Sequence, residues 1–381
     1  MKRIQKAFCI VLAVMMTAGT MTFRADAASV KEMTAPSAVL MDAQSGKVLC
    51  CKNPHEVRPC ASITKVMTLL LVMEALDSGK IRLGDMVTAS EHAASMGGSD
   101  IWLEPGEQMS VHDMIKATVV ASANDAAVAL AEQVCGSEDA FVEKMNEKAA
   151  SLGMKETVFK NCNGLDEDGH VTSAYDVAVM SRELIRHKKI FEYSGIWMDE
   201  LRGGKTQIVN TNKLLKTYDG ITGLKTGTTS KAGSCITATA ERDGMSLIAV
   251  VLGSSSGKER FTDAAALLNY GFANYTMYTP KTPKEAVTDL PVTNGMSKNV
   301  RTAAFINDMF LIGKGAEQQV SYTVQLPKSV AAPVKKGDTV GYVIFRFGKE
   351  ETGRYPIKAA DDVKEIGFGD IFIRLLQSVF V

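Results

Sequence analysis

The chain has no excess of either charge. Lys and Arg total 43, Asp and Glu total 43, and the formal net charge at pH 7 is zero. No general positive field is available to attract phosphate backbones, which argues against a nucleic-acid partner. Histidine is scarce, with five residues, and the seven cysteines form no C-x-x-C pair, so a zinc site is not expected. Nothing in the sequence asks for any other cofactor. Glycine and proline, at 31 and 10 of 381 residues, are too few for collagenous or low-complexity chains. What is present is a globular composition, 46% hydrophobic and 23% charged. At this length two domains of ordinary size are expected, each able to bury a core.

The N-terminus reads as an export signal. Lys2, Arg3 and Lys6 precede an uncharged stretch from Ala7 to Phe23, and Ala25-Asp26-Ala27 has the small-x-small form of a signal-peptidase site. That stretch includes Gly19 and three Thr, and is short for a bilayer span of about 20 residues. Residues 1–27 are therefore expected to be removed from an exported protein. Cys9 would leave with them, and its place in mid-run argues against a lipid anchor. Cys50, Cys51, Cys60, Cys135, Cys162 and Cys235 remain. An even count permits disulfides without establishing them, and most are expected to be small buried apolar groups.

Ala38 to Leu49 reads as a strand, a turn at Gln44-Ser45-Gly46 and a second strand, opening an antiparallel sheet. Ser62 to Leu76 carries Ile63, Val66, Met67, Leu69, Leu70, Leu71, Val72 and Met73 on nearly every face, the pattern of a helix with protein all round it. Ser110 to Gly136 reads as two helices parted by Ser122-Ala123-Asn124. Ser110 and Asp113 form a capping arrangement at the start, and Gly136 ends the second helix. Another helix is expected from Ser173 to His187. Cys235 to Ala240 and Met245 to Leu252 read as a hairpin turned at Asp243-Gly244, and Phe261 to Tyr275 as a helix closing the domain.

After Tyr275 the composition shifts. Pro280, Pro283 and Pro291 punctuate short runs, and Val320 to Leu326 and Val340 to Phe347 alternate as strands do. Turns are expected at Asn294-Gly295, Lys336-Gly337-Asp338 and Gly348. This reads as a smaller, β-rich domain. Asp370 to Val381 sets Arg374, Gln377 and Ser378 on one side of a helix and Ile371, Phe372, Ile373, Leu375, Leu376 and Val379 on the rest. Such a helix is too short to span a bilayer. It either lies in the membrane interface or docks on the β-rich domain, and peripheral membrane association is the preferred reading.

Ser62-Ile63-Thr64-Lys65 puts a hydroxyl and an amine one helical turn apart on one face of the buried helix. Serine is a poor nucleophile until a base takes its proton, and burial lowers a lysine pKa because desolvation disfavours the charged form. The helix N-terminus adds unsatisfied N–H groups that favour negative charge at an acyl centre. S-x-x-K alone is weak, since it recurs at Ser255-Ser256-Gly257-Lys258 in what reads as a Gly/Ser-rich loop. Company discriminates the two. After Ser62 come Ser122-Ala123-Asn124 and then Lys225-Thr226-Gly227, whereas the second S-x-x-K has no K-T-G behind it.

The ordered trio S-x-x-K, S-x-N, K-T-G resembles the penicillin-binding proteins and serine β-lactamases. Further text is similar to the low-molecular-mass D-alanyl-D-alanine carboxypeptidases: Ser122-Ala123-Asn124-Asp125-Ala126-Ala127, Gly164-Leu165-Asp166 followed by His170, Asn210-Thr211-Asn212, and Gly220-Ile221-Thr222-Gly223-Leu224-Lys225-Thr226-Gly227. The likeness is close over residues 35 to 275 and looser beyond. It implies an α+β fold, with a transpeptidase-like domain of antiparallel sheet, helices on both faces and a helical subdomain, then a small β-rich domain. The boundaries expected are 1–27, 28–275, 276–368 and 369–381, the last a possible membrane anchor.

The resemblance also implies the activity: removal of the terminal D-alanine from peptidoglycan stem peptides through an acyl-enzyme on Ser62, with β-lactams as covalent inhibitors. Lys65 would be the base, and, directly or through Ser122, would help protonate the leaving D-alanine. Asn124 would orient Lys65 and the substrate amide. Lys225 and Thr226 would meet the terminal carboxylate, Gly227 would let ligand approach the strand, and the N–H groups of Ser62 and Thr228 would form the oxyanion hole. Many relatives carry His where Thr228 stands. The place of work implied is the outer face of the cell membrane or the cell-wall space.

Other residues take plainer readings. Arg260 follows the sheet and is expected in a surface ion pair, alternatively adding positive charge near the carboxylate site; His170 is expected in a structural hydrogen bond, Cys60 in a half-buried packing role, and Trp102 and Trp197 in packing, with Trp102 alternatively bordering the cleft. A class A β-lactamase needs an E-x-x-x-N sequence, but Thr157 stands at that spacing before Asn161, and Glu156 is followed at that spacing by Lys160. Fast antibiotic hydrolysis is therefore disfavoured. A non-catalytic module, acylated by β-lactams without turnover, would need the same residues and is separable only by measuring turnover.

Overall fold

The computed structural model describes residues 33–379, so the signal-peptide reading of residues 1–27 lies outside the described residues. The larger domain is built on strands β1 (Ser37–Asp42), β2 (Val48–Lys52), β7 (Ile221–Thr229), β8 (Gly233–Arg242) and β9 (Met245–Ser254). They form a five-stranded antiparallel sheet in the order β2-β1-β9-β8-β7, which leaves β7 at an edge. The hairpin turn expected at Asp243-Gly244 joins β8 to β9, and both residues have positive φ, the conformation that a tight turn between twisted strands requires.

Each central strand is buried on both faces, and period-2 alternation sorts its side chains between two cores. Along β9, Ile248, Val250 and Leu252 pack with helices α1 (Lys65–Asp77) and α5 (Ala174–Leu184). Leu247, Ala249 and Val251 pack on the other side with Ala264, Leu267 and Leu268 of α7 (Gly257–Asn274). Helix α1 is apolar all round and sits inside the first core, as its sequence required. The helical subdomain adds α2 (Val111–Val120), α3 (Asn124–Cys135) and α4 (Glu138–Ser151). Ser110 caps α2 by accepting from the Asp113 N–H, and Gly136 ends α3 in the left-handed conformation.

The structure departs from the sequence reading in several places. Ser255 to Lys258 is a loop only over its two serines. Ser256 accepts from the Glu259 N–H as an N-cap, so α7 begins at Gly257, before the apolar periodicity starts. Two ribbons were not expected: β3 (Met86–Thr88) with β4 (Gln108–Ser110), and β5 (Met198–Leu201) with β6 (Thr206–Val209). Each is too short to carry a legible alternation. The short helix α6 (Leu214–Thr217) leads from this second ribbon to β7.

The β-rich domain holds β10 (Tyr275–Tyr278), β11 (Asp289–Thr293), β12 (Asn299–Ala304), β13 (Phe310–Gly313), β14 (Val320–Gln325), β15 (Val330–Ala331), β16 (Thr339–Phe347) and β17 (Glu350–Ala359). Six of them form a sheet in the order β14-β16-β17-β12-β11-β15, and β10 pairs with β13. Val343, Phe345 and Ile357 fill its core. Helix α8 (Phe368–Val379) follows, with Phe368, Ile371, Phe372, Ile373 and Leu376 exposed. No helix among the described residues is long and apolar enough to cross a membrane.

Candidate active site

Ser62 lies in a one-turn 3-10 segment, Ala61–Thr64, that runs into α1. Ala61, just before it, has a positive φ of 50°, a conformation uncommon outside glycine. Lys65 is the first residue of α1 and is fully buried. Its Nζ donates to Ser62 Oγ at 3.0 Å, to Asn124 Oδ1 at 2.5 Å and to the Asn163 carbonyl at 2.7 Å. All three hydrogens of an ammonium are thereby satisfied, and a neutral amine would keep a lone pair for one of these neighbours. Burial pushes the Lys65 pKa down to about 7, so both protonation states are accessible near neutrality.

Asn124 opens α3, and its Nδ2 donates to the Gly97 carbonyl at 2.6 Å, fixing which end of the amide faces Lys65. Ser122 sits in the break between α2 and α3 with φ 61°, turned so that its hydroxyl accepts from Lys225 Nζ at 2.8 Å. Lys225 lies on β7, is 1% exposed, and also donates to the Thr226 carbonyl at 2.8 Å. Desolvation, then the charges of Lys65 and Arg260, hold its pKa well below the usual ammonium range. An anion arriving beside it would push that pKa back up.

The three sequence motifs converge. Lys65 bonds Asn124, and Ser122 bonds Lys225, so two hydrogen bonds tie the helix, the helix break and the sheet edge together. Gly227 explains the closeness of β7: a Cβ there would lie 2.8 Å from the Ser62 nitrogen and 2.9 Å from the Cys60 carbonyl oxygen. Gly164 does the same from the opposite wall, where a Cβ would sit 2.1 Å from the Ala61 carbonyl oxygen. Thr226 is 4% exposed, with Oγ1 at 2.6 Å from Thr211 Oγ1. Thr228 is exposed and accepts from Arg260 Nη1 at 2.8 Å.

Arg260 corrects an expectation. Among the described residues it forms no ion pair; it is 9% exposed, and Nη1 also reaches the Gly227 carbonyl at 3.0 Å and the Cys235 carbonyl at 3.4 Å. Cys60 is fully buried rather than half-buried, and burial pushes its thiol up to about 12, which makes it inert. His170 has the structural role expected: Nδ1 accepts from the Lys160 N–H at 3.2 Å, which leaves Nε2–H for Thr64 Oγ1 at 2.7 Å. Burial lowers its pKa to about 4 and keeps it neutral. Trp102 does not pack, being 78% exposed at φ 55°. The six cysteines described are all free. Ligand atoms of Glu74, Glu183 and His187 cluster within 4.8 Å, but Lys148, Arg186 and Asp77 respectively already engage them.

The family model described as D-alanyl-D-alanine carboxypeptidase, Peptidase S11, matches residues 24–256, and that of the penicillin-binding protein 5 C-terminal domain matches residues 275–365. The chain belongs to the Peptidase S11 family. It is 43% identical over 338 residues to D-alanyl-D-alanine carboxypeptidase DacF of Bacillus subtilis, covering 88% of this chain and 87% of that one. Penicillin-binding protein 5 of Haemophilus influenzae is similar in structure, with a TM-score of 0.73 at 33% identity, over 88% of this chain and 98% of that one. Penicillin-binding protein D2 of Listeria monocytogenes, solved in an ampicillin bound form, matches with a TM-score of 0.58 at 32% identity, over 63% of this chain and 98% of that one.

As a Peptidase S11 member the chain is a serine-type D-alanyl-D-alanine carboxypeptidase, a hydrolase of peptidoglycan stem peptides that binds β-lactams. Work outside the cytoplasm is typical of this family. Its two-domain α+β architecture is the one the motifs implied. Sequence reasoning missed the Asn163 carbonyl as a third partner of Lys65, because a backbone acceptor leaves no mark in residue identity. Arg260 was considered near the carboxylate site because it follows the sheet, but its hydrogen bonds to the Gly227 and Cys235 carbonyls were not foreseen.

Proposed function

We propose that Ser62 is the nucleophile of this carboxypeptidase and Lys65 its base. The observation that carries the reading is the buried Lys65 amine, with pKa about 7, at 3.0 Å from Ser62 Oγ. In this reading Ser62 Oγ bonds to the carbonyl carbon between the two terminal D-alanines while its proton passes to Lys65 Nζ. The tetrahedral oxyanion is held by the N–H groups of Ser62 and Thr228; the tight approach of Gly227 to the Ser62 nitrogen supports two donors converging there. The C–N bond then breaks, and the leaving amine takes a proton from Lys65, directly or through Ser122. Water, deprotonated by the same amine, then bonds to the acyl carbon, the ester bond to Ser62 Oγ breaks, Oγ takes the proton back from Lys65 and the shortened peptide leaves.

Asn124 holds Lys65 and orients the substrate amide, while Lys225 and Thr226 receive the terminal carboxylate. That anion supplies an opposite charge that favours the Lys225 ammonium. The test is incubation of the mature chain with a pentapeptide ending in D-Ala-D-Ala. Free D-alanine should exceed one equivalent of enzyme by orders of magnitude, and Ser62→Ala should abolish both release and covalent penicillin labelling. Labelling that persists in Ser62→Ala would remove Ser62 from the role.

The finer placement is also proposed: residues 1–27 are cleaved on export, residues 28–275 carry the activity, and residues 276–368 stand between them and the membrane. Residues 369–381 rest in the interface of the outer membrane face. The exposed apolar side chains of α8 support the last point. Sedimentation with anionic-lipid vesicles checks it, since the mature chain should pellet and a chain ending at residue 367 should not. Equal pelleting of both would refute it.

A further inference from the structure

Asn210, Thr211 and Asn212 form a turn between β6 and α6 that is fastened far more firmly than a connecting loop needs. Both asparagines are buried, at 5% and 1% exposure. Asn210 Oδ1 accepts from the Asn212 N–H at 2.9 Å, and Asn212 Oδ1 accepts from the Leu214 N–H at 3.1 Å, two overlapping side-chain turns. Their amide nitrogens tie the turn outward: Asn210 Nδ2 donates to the Ile196 carbonyl at 2.8 Å and Asn212 Nδ2 to the Gly223 carbonyl of β7 at 3.1 Å. The residue held between these clamps is Thr211, whose hydroxyl oxygen lies 2.6 Å from that of Thr226.

A hydroxyl has one proton to give and two lone pairs to offer. In a pair of hydroxyls only one donates, so the direction of the Thr211–Thr226 bond decides whether the Thr226 proton is spent inside the protein or left for a ligand. A carboxylate brings acceptors only. When one arrives beside Thr226, the favourable order is Thr211 donating to Thr226 and Thr226 donating to the anion, a chain in which each bond polarises the next. We infer that Thr211 is a positioning residue for carboxylate recognition: it fixes the hydroxyl of Thr226 as a donor toward the terminal carboxylate of the substrate. This inference rests on the assignment of Thr226 to that carboxylate. The asparagine clamps are what keep the Thr211 oxygen in reach while substrate enters and product leaves.

Thr211→Val keeps the shape and removes the donor, and Thr211→Ser keeps the donor and removes a methyl group. The readout is the ratio of kcat/KM for a peptide ending in D-Ala-D-Ala to kcat/KM for the same peptide ending in the carboxamide. Loss of one charge-assisted hydrogen bond predicts a fall of about 10-fold in that ratio for Thr211→Val, carried mainly by KM, with the ratio retained in Thr211→Ser. A merely structural role would lower both substrates together and leave the ratio unchanged in Thr211→Val, which would overturn the inference. So would a ratio lost equally in Thr211→Ser. Failure of the underlying assignment is separable, because Thr226→Val would then keep the wild-type ratio.

Discussion

Lys225 Nζ donates to Ser122 Oγ at 2.8 Å, so the serine of the second motif is bonded in the resting site to the lysine of the third, not to Lys65. Both amines are buried. Ser122→Ala leaves Lys225 without this acceptor and removes the hydroxyl proposed to pass a proton to the leaving group. D-alanine release should fall by roughly 10²- to 10⁴-fold, the usual contribution of a positioned proton donor. Steady-state release compared with the penicillin acylation rate checks this, and an unchanged kcat/KM would exclude Ser122 from proton transfer.

The proposed base must be neutral to act, and burial sets Lys65 near pKa 7. Acylation of the enzyme by penicillin should therefore rise about tenfold per pH unit below that value and flatten above it. Stability moves in the same direction. Between pH 7 and 9 the unfolded Lys65, with its ordinary pKa of 10.5, binds more protons than the folded one, so stability increases with pH. Lys225, also lowered, adds to that slope. Above pH 9 the trend reverses in part, because Cys50 and Cys60 hold their protons to about 12 when folded and release them near 9 when unfolded. Melting temperatures across this range for wild type and Lys65→Met isolate the first contribution; the mutant should have the shallower slope between pH 7 and 9.

Gly164→Ala should be among the costlier small substitutions. Its φ of 88° is unfavourable for any Cβ, and the Ala61 carbonyl oxygen stands where the methyl would go. The expected loss is about 2 kcal/mol or more from conformational strain and overpacking together, read as a lowered denaturant midpoint. Gly169→Ala is the control: a comparable φ of 81° but only a lysine side-chain carbon nearby, at 3.4 Å, so its loss should be smaller.

Arg260 supports β7 from beneath by bonding two carbonyls and the Thr228 hydroxyl. Arg260→Leu keeps bulk but leaves the Gly227 and Cys235 carbonyls without this donor. A loss of about 1–3 kcal/mol is expected from unsatisfied buried acceptors. KM for D-Ala-D-Ala peptides should rise as well, since Thr228 loses its tether. Wild-type stability and KM in this variant would show Arg260 to be dispensable.

Much of this architecture was legible because its determinants are local. The Ser62 helix announces burial through apolar residues on every face, and the Asp243-Gly244 hairpin is written in two residues whose φ values few others tolerate. The convergence of Lys65, Asn124, Ser122 and Lys225 came from motif order, not from spacing, because the sheet edge and the helix break are brought together by the fold as a whole. What escaped was carried by backbone or by direction. Asn163 acts through its carbonyl, and Arg260 was expected at the surface because arginine there is ordinary. Trp102 was read as packing, or alternatively as bordering the cleft. Instead the N–H groups of Ile101 and Leu103 on either side bond the Asp125 carboxylate at 3.1 and 3.0 Å and turn the indole outward.

That outward indole makes the enzyme its own optical reporter. The chain contains two tryptophans, and Trp197 is half-covered with the Lys216 ammonium 5.0 Å from its ring centroid, whereas Trp102 faces solvent on the loop whose Gly97 and Ser99 carbonyls bind Asn124. Aqueous quenchers therefore reach Trp102 more readily than Trp197. In a Trp197→Phe background, tryptophan fluorescence becomes a single-site signal from a loop anchored to the second motif, and a change in it on adding penicillin would report acylation without a labelled antibiotic.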